Sequence, residues 1–149
     1  MFTLEERKKH TKYITELSRT SLYKITGNDA ISGYILCLFH WIITGIPLLY
    51  LFIGKINKLY LVSCILWVII MSMHFYFNGC ILARIEKKLW NEPKWWGPWI
   101  FLFTPLEYTG LEMTTALANN IFICWGIIII LTVFLRVIHH IGAPSMNIS

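Results

Sequence analysis

Charge is scarce in this chain. Of its 149 residues, 14% are charged and 56% are hydrophobic, whereas a soluble domain carries about 25% charged residues. That scarcity argues against an ordinary water-soluble domain, because so short a chain has too little interior to hide the apolar excess. Cys-x-x-Cys spacing is missing as well. Cys37, Cys64, Cys80 and Cys124 each fall within or at the end of an apolar run, so they read as small lipid-compatible residues rather than a disulfide framework. No short apolar stretch precedes a small-residue cleavage site, and the first apolar run is expected to act as its own uncleaved insertion signal. Position 2 is Phe and the last residues hold no prenylation box, so no lipidation is expected. Gly-rich phosphate loops, serine nucleophile elbows, His-Glu-x-x-His zinc motifs and potassium-filter sequences are all absent. Of the carboxylates, Glu86, Glu107 and Glu112 are expected near the membrane interface, Glu86 pairing with neighbouring Arg or Lys and Glu107 capping a helix. Nothing fixes two of them at the separation acid–base work requires. Catalysis is therefore not expected.

What the sequence does have is long apolar runs. Residues 31–53 and 59–83 are uncharged, and residues 115–137 are charged only at Arg136. At a rise of about 1.5 Å per residue each run spans roughly the 30 Å hydrocarbon thickness. The fold class read from this pattern is an all-α integral membrane bundle of three transmembrane helices, with N-terminal and mid-chain interfacial helices. Pro47 is expected to kink the first span, and residues 54–58 form the tight turn of a helical hairpin. Residues 1–28 are a basic segment. Within it Thr3 and Glu6 fit a capping box, and the spacing of Glu5 with Lys9 and of Lys12 with Glu16 favours a surface helix. Residues 84–113 are rich in Trp and Pro. Trp90, Trp95, Trp96 and Trp99, with Lys87, Lys88 and Lys94, read as anchors at the membrane–water interface. The eight apolar residues 99–106 are too few to cross, and Thr104-Pro105-Leu106-Glu107 reads as a helix start. Residues 138–149 form a tail ending in the sequon Asn147-Ile148-Ser149.

The basic excess, a net +5, flanks the apolar runs. It reads as a topology signal and as contacts with lipid headgroups, not as a nucleic-acid surface. Ten Lys and Arg precede the first span or follow the second, and three (Lys55, Lys58, Arg136) lie on the other side. That asymmetry predicts a cytoplasmic N-terminus and an outer or lumenal C-terminus.

Polar residues inside the spans are the candidate site residues. Gly33, Cys37, His40 and Thr44 fall on one helical stripe. His74 and Asn78 are i,i+4 neighbours, Gly79 and Ala83 form a small-xxx-small pair, and Asn120 shares a face with Cys124. Such residues favour close helix packing and hydrogen bonds across it. His40 and His74 fall at one expected depth, on the cytoplasmic side of centre, with no thiol or carboxylate beside them. They read first as a hydrogen-bonded contact, and otherwise as ligands of a haem or metal or as a proton path. No cofactor is predicted outright. The expected function is a non-catalytic structural or assembly subunit of a membrane complex or virion membrane. Its partners are then the lipid bilayer, other membrane subunits or further copies of itself. The alternatives are a redox subunit using His40 and His74, and an oligomeric channel or transporter.

The stretch from His74 to Glu86 is an apolar helix ending in Cys80-x-Leu82-x-x-x-Glu86. It resembles a pattern in small uncharacterised multi-helix membrane proteins, some of them encoded by large DNA viruses. The resemblance implies a membrane location and no particular activity.

Overall fold

A computed structural model describes residues 3–142. It is 84% helical, with no strand among the described residues. Six α-helices follow in order: α1 (Leu4–Thr26), α2 (Asp29–Ile53), α3 (Lys58–Phe77), α4 (Ile81–Trp90), α5 (Ile100–Tyr108) and α6 (Thr115–Gly142). Helices α2, α3 and α6 are long and apolar enough to cross a membrane. The sequon at the chain end lies outside the described residues.

Helix α1 starts at a complete capping box. The Glu6 amide donates to Thr3 Oγ1 at 3.2 Å, and the Thr3 amide donates to Glu6 Oε2 at 2.7 Å, so two amides that lack intrahelical acceptors are satisfied reciprocally. Gly27 ends the helix, and the Asn28 side chain caps the start of α2. On the inward face of α1, Thr11 and Thr15 are buried, and each donates its hydroxyl to a carbonyl one turn back. Glu16 does not stay with Lys12. It forms an ion pair with Lys88 of α4.

The second apolar run does not make one long helix. Helix α3 stops at Phe77, because Asn78 adopts a left-handed conformation (φ 52°) and Gly79 follows at φ 131°. The second is a backbone position that residues other than glycine rarely occupy. The chain then turns back as α4 beside the first half of α2. Gly79 and Ala83 therefore do not share a span, and Asn78 is a helix cap. Lysines follow α4's apolar face, which packs Ile81, Ile85 and Leu89 against Leu36 and Phe77.

Two further differences lie downstream. Helix α5 begins at Ile100, directly after a 3-10 turn at Gly97–Trp99, so Thr104-Pro105 sits inside a helix rather than starting one. Helix α6 continues to Gly142, beyond the expected end at residue 137. The three long helices meet around Leu51, Tyr60, Trp67, Phe122 and Ile129. Arg136 does not reach away from the bundle. Its guanidinium donates to the Leu51 carbonyl at 2.7 Å and to the Gly54 carbonyl, where it meets the negative end of the α2 dipole and carbonyls that α2 itself leaves unsatisfied.

Candidate functional site

Where α4 folds against α2, a buried polar cluster forms around His40. Its Nδ1 lies 2.9 Å from Glu86 Oε1, and its Nε2 lies 3.3 Å from Cys80 Sγ. The His40 and Glu86 side chains are 1% and 0% exposed. Cys80 is the N-cap of α4 and Glu86 lies six residues further on. Six residues advance a helix by roughly 9 Å, which is the span an imidazole with a hydrogen bond at each edge can bridge. One helix thus presents a thiol and a carboxylate to opposite edges of one ring.

The hydrogen-bond inventory limits where the protons can sit. Trp95 Nε1 donates to Glu86 Oε2 at 2.5 Å, and an indole N–H is only ever a donor. As a carboxylate, Glu86 accepts from the indole with one oxygen and from His40 Nδ1 with the other. In the neutral ring, His40 Nε2 then carries the lone pair and faces the Cys80 thiol. This is the tautomer a general base for that thiol requires.

The surroundings hold the ring still. Thr44 donates to the His40 carbonyl at 2.6 Å. Gly97 sits at φ 64°, and a Cβ there would lie 2.9 Å from His40 Cε1 and 3.3 Å from Glu86 Oε2, so the Trp-rich loop can close over the ring only with glycine at this position. Cys80 makes no side-chain cap to α4, so the first-turn amides of that helix take no acceptor from their N-cap side chain.

Cys80 also lies on the walls of two cavities. One, of about 210 Å³, is apolar and lined by Phe39, Ile43, Ile70, Met73 and Leu82, besides His40 and His74. The other, of about 260 Å³, is lined by Arg84, Lys87, Trp96, Phe103 and Asn119. Burial holds the Lys87 ammonium below the usual lysine range, and the neighbouring Arg84 guanidinium pushes it the same way. Burial likewise lowers the Arg84 pKa.

The residues singled out from sequence distribute unevenly. Gly33, His40 and Thr44 lie on the buried face of α2, and Cys37 is half-buried. His74 stacks on Phe122 with ring centroids 3.8 Å apart. Both histidines reach the apolar cavity, yet they do not bond each other. Both nitrogens of His40 are engaged, so a haem iron would have to displace Glu86 or Cys80. Those two groups bind opposite ring edges and do not converge on one point, and no cluster of three metal-ligating residues occurs among the described residues. Asn120 is exposed. Its neighbour Asn119 is the one that donates to Asn78 Oδ1, at 3.1 Å.

The tryptophans, expected as headgroup anchors, pack against protein. Trp90 donates to the Ala30 carbonyl at 3.3 Å and meets Trp95 edge-on. Trp96 lies under the Lys87 ammonium, 3.9 Å from its ring centroid, and Trp99 meets Phe122 edge-on. Lys88 is paired with Glu16, and Lys94 is exposed.

Sequence reasoning missed Cys80 and Glu86 as partners of His40. The expectation that no thiol or carboxylate stands at the depth of His40 is overturned, because α4 turns back instead of continuing α3. The signal was the Asn78-Gly79 pair, a composition that ends helices even where the apolar run goes on. No protein family, curated protein or solved structure matches the chain.

Proposed function

We propose that this chain is a small membrane-embedded acyl-transfer enzyme with Cys80 as nucleophile. His40 serves as general base and acid, and Glu86 is the positioning residue that fixes the ring. The observation that carries this reading is Cys80 Sγ at 3.3 Å from His40 Nε2 while Glu86 holds Nδ1 at 2.9 Å. Nucleophile, base and orienter are each within hydrogen-bond reach of the next. The thiol proton passes to Nε2 as sulfur bonds the acyl carbonyl carbon. The tetrahedral adduct then expels the leaving group, which takes that proton from the imidazolium. The acyl-Cys80 thioester passes its acyl group to water or another nucleophile, whose proton His40 receives, and the thiol is restored. The uncapped first-turn amides of α4 are the proposed donors to the developing oxyanion.

The test is intact-protein mass after incubation, in neutral detergent, with a long-chain acyl thioester. The expected result is a hydroxylamine-sensitive acyl adduct mapped to Cys80, absent in Cys80→Ala and reduced on the order of 100-fold in rate by His40→Gln. An adduct spread over Cys37, Cys64 and Cys124, or none, would sink the reading.

The Lys and Arg distribution supports insertion with α1 and α4 on the cytoplasmic side and the end of α6 on the other. A second reading, a non-catalytic assembly subunit, draws support from the long helices. Only 28%, 17% and 17% of the most apolar windows of α2, α3 and α6 are buried. Their remaining surface faces lipid or neighbouring subunits. Under that reading Cys80→Ala leaves function intact, and the loss follows changes on the exposed faces instead.

A further inference from the structure

The two cavities meet at Cys80 and differ in chemistry. Cys80, His74, Trp99 and Phe122 line both. Beyond these the smaller cavity offers almost only carbon, while the larger adds Arg84 and Lys87. Neither cation has a carboxylate partner among the described residues. Arg84 donates to the Asn78 carbonyl at 2.6 Å, and Lys87 rests on the Trp96 ring. Two further polar atoms have no partner in the protein: Trp96 Nε1 and His74 Nε2. Both belong to residues lining the larger cavity. Buried polar atoms without partners are costly, and here they surround a space beside two cations.

Resting on the acyl-transfer reading, we propose that the substrate is an acyl donor with an anionic, phosphate-bearing leaving group. Its chain occupies the apolar cavity, its headgroup lies against Arg84 and Lys87, and its carbonyl stands at Cys80. A phosphate supplies acceptor oxygens for the guanidinium, the ammonium and the Trp96 N–H together. The depressed Lys87 and Arg84 pKa values are relieved by the same anion. An uncharged ester would leave both cations uncompensated.

The probe is hexadecyl phosphate, which cannot acylate a thiol, compared with hexadecanol and with inorganic phosphate. Binding is measured on the full chain in phosphatidylcholine nanodiscs, for wild type and Cys80→Ala. Hexadecyl phosphate is expected to bind at least tenfold tighter than hexadecanol in both proteins (about 1.4 kcal/mol). Lys87→Gln should abolish most of that difference, and Arg84→Gln with Lys87→Gln all of it. Because Arg84 also holds Asn78, the single Lys87 variant keeps the test valid if the double one misfolds. Equal affinity for phosphate and alcohol, or no effect of Lys87→Gln, overturns the proposal. Tight phosphate binding with no Cys80 adduct would instead remove the acyl-transfer reading and leave an anionic-amphiphile site. The donor's source is read from the adduct assay. Acylation by a bilayer phospholipid identifies a lipid donor, and acylation by a phosphorylated thioester added from water identifies a soluble one. Inorganic phosphate binding as tightly as hexadecyl phosphate would show that the apolar cavity does not take part, and would overturn the proposal too.

Discussion

Glu86 is the residue on which the cluster depends. It accepts from His40 Nδ1 and Trp95 Nε1, and neither of those two nitrogens has another acceptor within reach. Truncating it leaves the buried His40 Nδ1 and the half-buried Trp95 N–H without an acceptor, so Glu86→Ala is expected to cost about 1 to 3 kcal/mol for the buried group alone. Thermal unfolding in detergent micelles would measure this. Replacing His40 and Glu86 together with Leu should cost clearly less than the two single changes added, because neither is left facing the loss of the other, although the Trp95 N–H still loses its acceptor. At Gly97 the constraint is space and backbone conformation. Gly97→Ala places a methyl 2.9 Å from His40 Cε1 at φ 64°. It should cost about 1 to 3 kcal/mol and slow Cys80 acylation along with it. A Gly97→Ala protein with unchanged acylation would mean that loop closure does not fix the ring. His40 itself was legible in the sequence, because an ionisable residue in an uncharged run stands out. Its partner was not, since Glu86 lies 46 residues away and only the path of the backbone brings it near.

Helix ends decide that path. The Thr3/Glu6 capping box could be read from sequence, because all its chemistry lies within four residues. Hydrogen bonds from Thr3 hold the Glu6 carboxyl below the usual glutamate range. The folded pKa is depressed, so this contribution is present above the unfolded pKa and fades as pH falls through the lower folded value. Amide exchange at residues 4–7 is expected to accelerate in that acidic window, while exchange in the middle of α1 stays slow. The end of α3 was harder to read. Apolar residues continue through Ala83, and periodicity alone does not mark a stop. The stop comes from left-handed Asn78 and Gly79, tied down by Asn119 and Arg84. Gly79→Val should therefore disturb the α3–α4 turn and separate Cys80 from His40. The expected sign is equal alkylation of Cys80 by iodoacetamide with and without His40→Gln.

In the whole molecule, the three apolar helices were plain from charge-free length, while the way they associate was not. The sequence shows which segments avoid water. It does not show that Arg136 reaches back to the end of α2, or that the Trp-rich stretch folds over His40. The Arg136 contact places the end of α6 beside the turn between α2 and α3, opposite the start of α2. Tags at the two chain ends are expected on opposite sides of the membrane, which protease protection in sealed vesicles would show. Tags found on one side would contradict an odd number of crossings.

The early stop of α3 also sets a length. Its 20 residues reach roughly 30 Å, against roughly 42 Å for the 28 residues of α6. Were α3 matched to the bilayer core, its end would lie at the level of the lipid ester carbonyls, with Cys80 close by. A thicker bilayer would then have to thin around α3 or tilt its neighbours, and either response moves the thiol relative to those carbonyls. On the acyl-transfer reading, lipid chain length would then control the rate of acylation, through hydrophobic mismatch rather than through any change in the residues that react.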